Sequence, residues 1–170
     1  MVRIALITPG HAKAYNELVK RGLREHPTAF DTDIAAIEKR TVRSVARGLR
    51  QFGTTHGYIL GAFEASDTLV GTAMIQRRNS SKQAHVAEVL FVYVPIEYQG
   101  KGIGKKLMMA LLVSARRLEG IEQLSLTVNL NGSAARSLYA SFGFQSVGIW
   151  PRAICVAGTY FDQEHMWLPL

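Results

Sequence analysis

Eight residues, Gln99-Gly100-Lys101-Gly102-Ile103-Gly104-Lys105-Lys106, separate an apolar run, Val86 to Val94, from a stretch with leucines at helical spacing. Three glycines at alternate positions interrupt both patterns, so the chain must leave a strand, turn and enter a helix within a few residues. The run before the turn is apolar on both alternating faces, the mark of a central strand covered on both sides. After it, Leu107, Leu111, Ala115 and Leu118 form one stripe of a helix over about Gly104 to Leu118, ended by Gly120. Such a unit aims several backbone N–H groups at one point, at the positive end of the helix dipole, where an anion binds. Lys101, Lys105 and Lys106 add countercharge. The loop reads as a holder of phosphate or pyrophosphate, although glycine clusters also make plain turns.

Two common phosphate motifs fail on the residues that perform their chemistry. A dinucleotide fingerprint started at Gly100 meets Lys105 where a glycine belongs, and started at Gly102 it meets Leu107. A nucleotide P-loop requires glycine where Gln99 stands and a magnesium-binding hydroxyl where Lys106 stands.

Around this unit the periodicity predicts a strand over Val2 to Ile7, a helix over His11 to Arg24, a break at His26-Pro27 and a second helix from about Asp33 to Gln51. Tyr58 to Glu64 and Leu69 to Arg77 read as a hairpin joined by Ala65-Ser66-Asp67-Thr68. Leu124 to Val128 is a further strand. Ala135, Leu138, Tyr139 and Phe142 then mark a helix stopped by Gly143, and strands follow near Gln145 to Ile149 or somewhat beyond and near Thr159 to Leu168. The expected fold is one α+β domain over 1–170, a mixed, mostly antiparallel sheet with helices on both faces, in the order β-α-α-β-β-β-α-β-α-β-β.

Composition narrows the partners. At 170 residues the chain has about the length of one domain, and 48% apolar with 19% charged residues suits a globular core. Twenty Lys and Arg against thirteen Asp and Glu give a net charge of +7, which favours an anionic partner. Lys39, Arg40, Arg43, Arg47 and Arg50 form a basic helix face, but no nucleic-acid reading element accompanies it, so no nucleic-acid partner is expected. The single cysteine, Cys155, excludes an intrachain disulfide, and its apolar neighbours predict a buried structural thiol. The five histidines lack metal-ligand spacing, so no metal is expected. The longest apolar runs fall far short of the ~18 to 20 residues that cross a bilayer, and no signal peptide is visible, so a cytoplasmic protein without a membrane partner is expected.

Gln99-x-x-Gly102-x-Gly104, with the strand before it and Ala135-x-x-Leu138-Tyr139-x-x-Phe142-Gly143-Phe144 after it, resembles the GNAT superfamily of N-acetyltransferases over about Gly57 to Gly148. The resemblance implies acetyl coenzyme A as co-substrate and a small-molecule or peptide amine as acceptor, with a homodimer left open. It places the coenzyme against Val92, Tyr93 and Val94, the loop residues Gln99, Gly100, Lys101, Gly102, Ile103, Gly104 and Lys105, and Asn131. Val92 and Val94 would pair with the pantetheine amides through unpaired backbone groups. The acceptor would lie between Leu23 to Asp33 and Arg152 to His165, segments that carry Glu25, His26, Asp31, Asp33, Asp162 and Glu164. Two positions depart from the family pattern: Pro95-Ile96 replaces Asp-Pro, and Gly132 stands where asparagine is usual, with Asn131 and Asn129 nearby.

Acetyl transfer to an amine needs a base for the amine, stabilisation of the oxyanion and an acid for the leaving thiolate. Glu88 interrupts an otherwise apolar strand, where desolvation would raise its basicity, and it matches the glutamate base of histone-acetylating members. Its rival role is a carboxylate facing water or paired with arginine. Tyr139 matches the family's acid, while its pattern alone is that of a core aromatic. A non-catalytic acyl coenzyme A-binding module on the same fold is the alternative to an enzyme.

Overall fold

The computed structural model describes residues 2–170. Seven strands form a single sheet: β1 (Arg3–Leu6), β2 (Gly57–Phe63), β3 (Leu69–Arg77), β4 (Val86–Tyr93), β5 (Gln123–Asn129), β6 (Gln145–Val156) and β7 (Thr159–Pro169). Their order is β1-β2-β3-β4-β5-β7-β6. Neighbours are antiparallel except β4 and β5, which are parallel and so require a crossover. Five helices complete the fold: α1 (Ala12–Glu25), α2 (Ile34–Glu38), α3 (Val42–Leu49), α4 (Ile103–Ala115) and α5 (Ser133–Ser141). The α+β architecture expected from the sequence is observed.

The crossover helix α4 is also the centre of the main core. Leu107, Met108, Leu111 and Ala115 are fully buried against Ala73 and Ile75 of β3, Ala87 and Val89 of β4, and Leu124 and Leu126 of β5. Tyr139, Leu138 and Phe142 bring α5 to the same side. On the opposite face, Leu49 of α3 packs with Ile7, Ile59 and Phe63, while Val19 and Leu23 of α1 pack with Ile37 of α2. Strand alternation therefore directs Met74, Glu88 and Leu90 to the α1 face.

Two expectations require correction. The single helix expected over Asp33 to Gln51 is two, because Asp33 caps α2 by accepting from the Ala35 N–H at 2.9 Å and Thr41 caps α3 by accepting from the Ser44 N–H at 3.1 Å. Each capping side chain satisfies an orphan donor at its own helix start, and the extended backbone at Thr41 breaks the run between them. Strand β6 runs beyond Ile149 to Val156, held to β7 through two register shifts. Cys155 is exposed, not buried, because β6 is an edge strand and the thiol lies near its hairpin tip. No helix among the described residues is long and apolar enough to cross a membrane.

Candidate active site

The parallel seam between β4 and β5 is short. Val86, Ala87 and Glu88 pair with Gln123, Leu124 and Ser125, and beyond these the two strands part. A bulge explains the divergence. On β3 Thr72 faces Tyr93 and Met74 faces Leu90, so Ala73 alone opposes both Phe91 and Val92. Phe91 takes a φ of +47°, unusual for an aromatic residue, and stacks on Phe30 of the α1–α2 loop with ring centroids 4.3 Å apart. A bulge bends its strand and sharpens its twist, which carries the end of β4 away from β5 and opens a fork. Val92 lies in β4 past the last pair with β5, and Val94 just beyond the end of the strand. Tyr93 does not offer its side chain to the fork: the ring is buried beside Gly22 and its hydroxyl donates to Glu25 at 2.6 Å. Desolvation, followed by the bond to Glu25, pushes this phenol up, while the Tyr93 hydroxyl holds the Glu25 carboxyl below its usual range.

At the mouth of the fork lies the glycine loop. Gly100 and Gly102 have φ of +72° and +74°, and a Cβ at either would meet no protein atom within 4 Å. Glycine is required there by backbone conformation rather than by protein packing. Gly102 is the N-cap of α4 and contributes no side-chain cap, so the first N–H groups of the helix have no side-chain acceptor. Those donors, the helix dipole and exposed Lys101 and Lys105 suit an anion. Lys101 lies over the Tyr98 ring at 5.2 Å. Gln99 donates through Nε2 to the Val94 carbonyl at 2.9 Å, fixing the path from strand to loop past Pro95 and Ile96. Ile103 is buried, so it can serve a ligand only through its backbone, and at Gly104 a Cβ would stand in ordinary contact with Leu138 of α5.

Glu88 is not the desolvated carboxylate expected. Its side chain is 38% exposed and accepts from Arg78 Nη2 at 2.6 Å, because it lies on the less covered α1 face at the base of the fork. Across the seam stands Ser125, whose Oγ is buried without a hydrogen-bond partner among the described residues. Nothing in the sequence distinguished this hydroxyl; it becomes visible only when β4 and β5 are in register. Tyr139 is 8% exposed, set edge-on to Phe144, and burial alone pushes its phenol up to about 12. Asn131 is exposed, and its backbone N–H donates to the side chain of Asn129. Asn129 itself is buried and donates to the Thr28 carbonyl at 2.9 Å, tying the end of β5 to the α1–α2 loop.

That loop and the β6–β7 hairpin enclose a cavity of about 500 Å³ walled by Leu23, Pro27, Phe30, Ile34, Ile154 and Cys155. Most carboxylates expected to receive a cationic acceptor are engaged elsewhere. Glu25 binds Tyr93 and Arg21, Asp33 caps α2, Asp162 accepts from the Arg152 N–H, and buried Glu164 pairs with Arg136 at 2.5 Å. Asp31 lines the cavity, and so does Asp33 despite its capping role. The walls are otherwise mainly apolar, and no group of three or more metal-ligating side chains is present among the described residues.

Comparisons with known proteins agree with this fold. The Acetyltransferase (GNAT) family model matches residues 17–144. The N-alpha-acetyltransferase RimI of Mycobacterium tuberculosis is 38% identical over 109 residues, covering 64% of this chain and 65% of that protein. The chain thus spans just under two thirds of that relative's length. Among solved structures, a GNAT-family acetyltransferase from Streptococcus pneumoniae superposes with a TM-score of 0.89 at 21% identity, over all of both chains. An acetyltransferase from Salmonella typhimurium, solved with its cofactor acetyl-CoA, gives 0.86 at 22% identity over 99% of this chain and 94% of its own. With the family model spanning the fork, the glycine loop and α5, this chain belongs to the Acetyltransferase (GNAT) family.

Proposed function

We propose that the protein is an N-acetyltransferase that moves the acetyl group of acetyl coenzyme A directly to a primary amine. The observation that carries this reading is the uncapped start of α4, behind Gly100 and Gly102 at positive φ, placed at the open end of the β4–β5 fork. The pyrophosphate would take the loop N–H groups, and the pantetheine arm would run along Val92 and Val94 like an added strand. The acceptor would enter from the cavity between the α1–α2 loop and the β6–β7 hairpin. The acetyl-CoA-bound Salmonella structure and the RimI relative support this choice of co-substrate and amine chemistry.

In the reaction the amine nitrogen attacks the thioester carbonyl, a backbone N–H near Val92 to Val94 receives the developing oxyanion, and the carbon–sulfur bond breaks. Glu88 takes the amine proton, directly or through water held beside Ser125 Oγ. Tyr139 supplies a proton to the departing sulfur. Holding both substrates together supplies much of the acceleration through proximity.

The test is thiol release from acetyl coenzyme A across polyamines, aminoglycosides, amino acids and peptide N-termini. Release with one amine class identifies the acceptor. Tight coenzyme binding without release for any amine would replace the enzyme by a binding module, a reading to which the Arg78 grip on Glu88 lends its weight.

A further inference from the structure

Arg21 stands where the two sides of the site meet. Its Nη1 and Nη2 donate to the two carboxylate oxygens of Glu97 at 2.8 and 2.7 Å, and its Nε donates to Glu25 at 2.6 Å. The second Glu25 oxygen accepts from Tyr93. One cation therefore joins the turn Ile96–Tyr98, which leads into the glycine loop, to the last turn of α1, which leads into the acceptor-side loop.

Glu97 is an awkward residue for an anion site. It lies two residues before Gln99, its side chain is 48% exposed, and the charges of Arg21 and Lys101 both act on it. Unpaired, this carboxylate would repel an arriving pyrophosphate and compete with it for Lys101. A guanidinium meets a carboxylate through two parallel hydrogen bonds, which fixes direction as well as cancelling charge. So exposed an ion pair adds little to folding stability. Its consequence is therefore to be sought in binding.

We propose that Arg21 is a positioning residue for the coenzyme: it holds Glu97 against α1, leaves Lys101 free for phosphate, and through Glu25 and Tyr93 ties the loop to the acceptor-side wall. This rests on the reading of the glycine loop as the coenzyme site. Arg21→Met keeps the packing of the stem and removes the charge. With free coenzyme A in calorimetry, Kd is expected to rise about tenfold, since one uncompensated charge near a binding anion is enough for that. The double variant Arg21→Met/Glu97→Gln is expected to return to within about twofold of wild type, a rescue that a merely structural role would not give. If Arg21→Met does not fold, Arg21→Lys, which keeps the charge and loses the two-point grip, carries the same test with a smaller loss and the same rescue. Unchanged affinity in the single variant, or a loss that Glu97→Gln does not relieve, overturns the proposal. A wild-type protein that fails to bind coenzyme A overturns the reading of the loop, and this proposal with it.

Discussion

The side of the cleft proposed for the coenzyme and the side proposed for the acceptor are built on different principles. The glycine loop and the start of α4 offer backbone: two residues at positive φ, an uncapped helix end and the stretch of β4 that has no β5 partner. The side proposed for the acceptor is assembled from side chains distant in sequence, with Asn129 reaching Thr28, Phe91 stacked on Phe30, and residues of the β6–β7 hairpin and the α1–α2 loop lining one open cavity. Backbone sites depend on a few glycines within one local segment, whereas side-chain sites depend on how far-apart segments pack. The first should fail at single positions and the second by degrees.

The largest loss is expected from Glu88→Gln, which should lower turnover by ~10² or more with coenzyme affinity almost unchanged. Its deficit should be deepest at lower pH, where the amine is mostly protonated. A pH–rate profile that keeps its shape would assign the proton to water or another group.

Tyr139→Phe comes next, with turnover down toward ~10² and stability at neutral pH moved by less than about 1 kcal/mol, because the ring volume remains. The variant also has a pH signature. A phenol raised to about 12 in the folded state, against the ordinary value near 10, favours folding fully below pH 10, and that contribution is lost as pH rises through 12. Tyr15 is shifted likewise, so Tyr139→Phe should reduce the alkaline loss of stability without abolishing it. Melting curves between pH 8 and 12 provide the check. A wild-type rate in this variant would leave Tyr139 a core aromatic.

Gly102→Asp addresses the backbone side directly. Strain at φ +74° and a negative charge at the helix start should cost on the order of 2 kcal/mol in coenzyme binding, about thirtyfold in Kd. Equal calorimetric affinities would detach the loop from the coenzyme. The smallest effect is expected on the other side. Asn129→Ala removes the tether to Thr28 and should raise the acceptor KM several-fold while coenzyme affinity holds, at a stability cost of about 1–2 kcal/mol. If coenzyme affinity falls with it, the two sides are less separate than their construction implies.

The same contrast governs how much could be read from the chain. The loop, its flanking strand and α4 were legible because glycines, an apolar run and a leucine stripe are local signals. The fork was expected only by family resemblance, since strand divergence follows from the Phe91 bulge and no periodicity records it. Glu88 could be singled out as polar among apolar residues, but its partner Arg78 lies across a hairpin, so its exposure could not be inferred. Cys155 was misjudged for a related reason: an apolar neighbourhood in sequence says nothing about a strand's being at the sheet edge. The Arg21–Glu97 contact spans 76 positions and carries no sequence mark.

The three-pair seam between β4 and β5 also bears on how the molecule comes apart. Strands β1–β4 are joined by antiparallel neighbours throughout, and β5, β7 and β6 by their own long ladders, so the backbone ladder is thinnest at this seam and the joint rests mainly on α4 packed across β3, β4 and β5. Amide exchange would then report two protection classes that meet at Val86–Glu88. A ligand laid in the fork, bound only when both arms are in place, would fasten that joint by mass action, by about 2.7 kcal/mol at a hundred times its Kd. Occupancy of the cleft would thereby set the lifetime of the protein as well as its readiness to react.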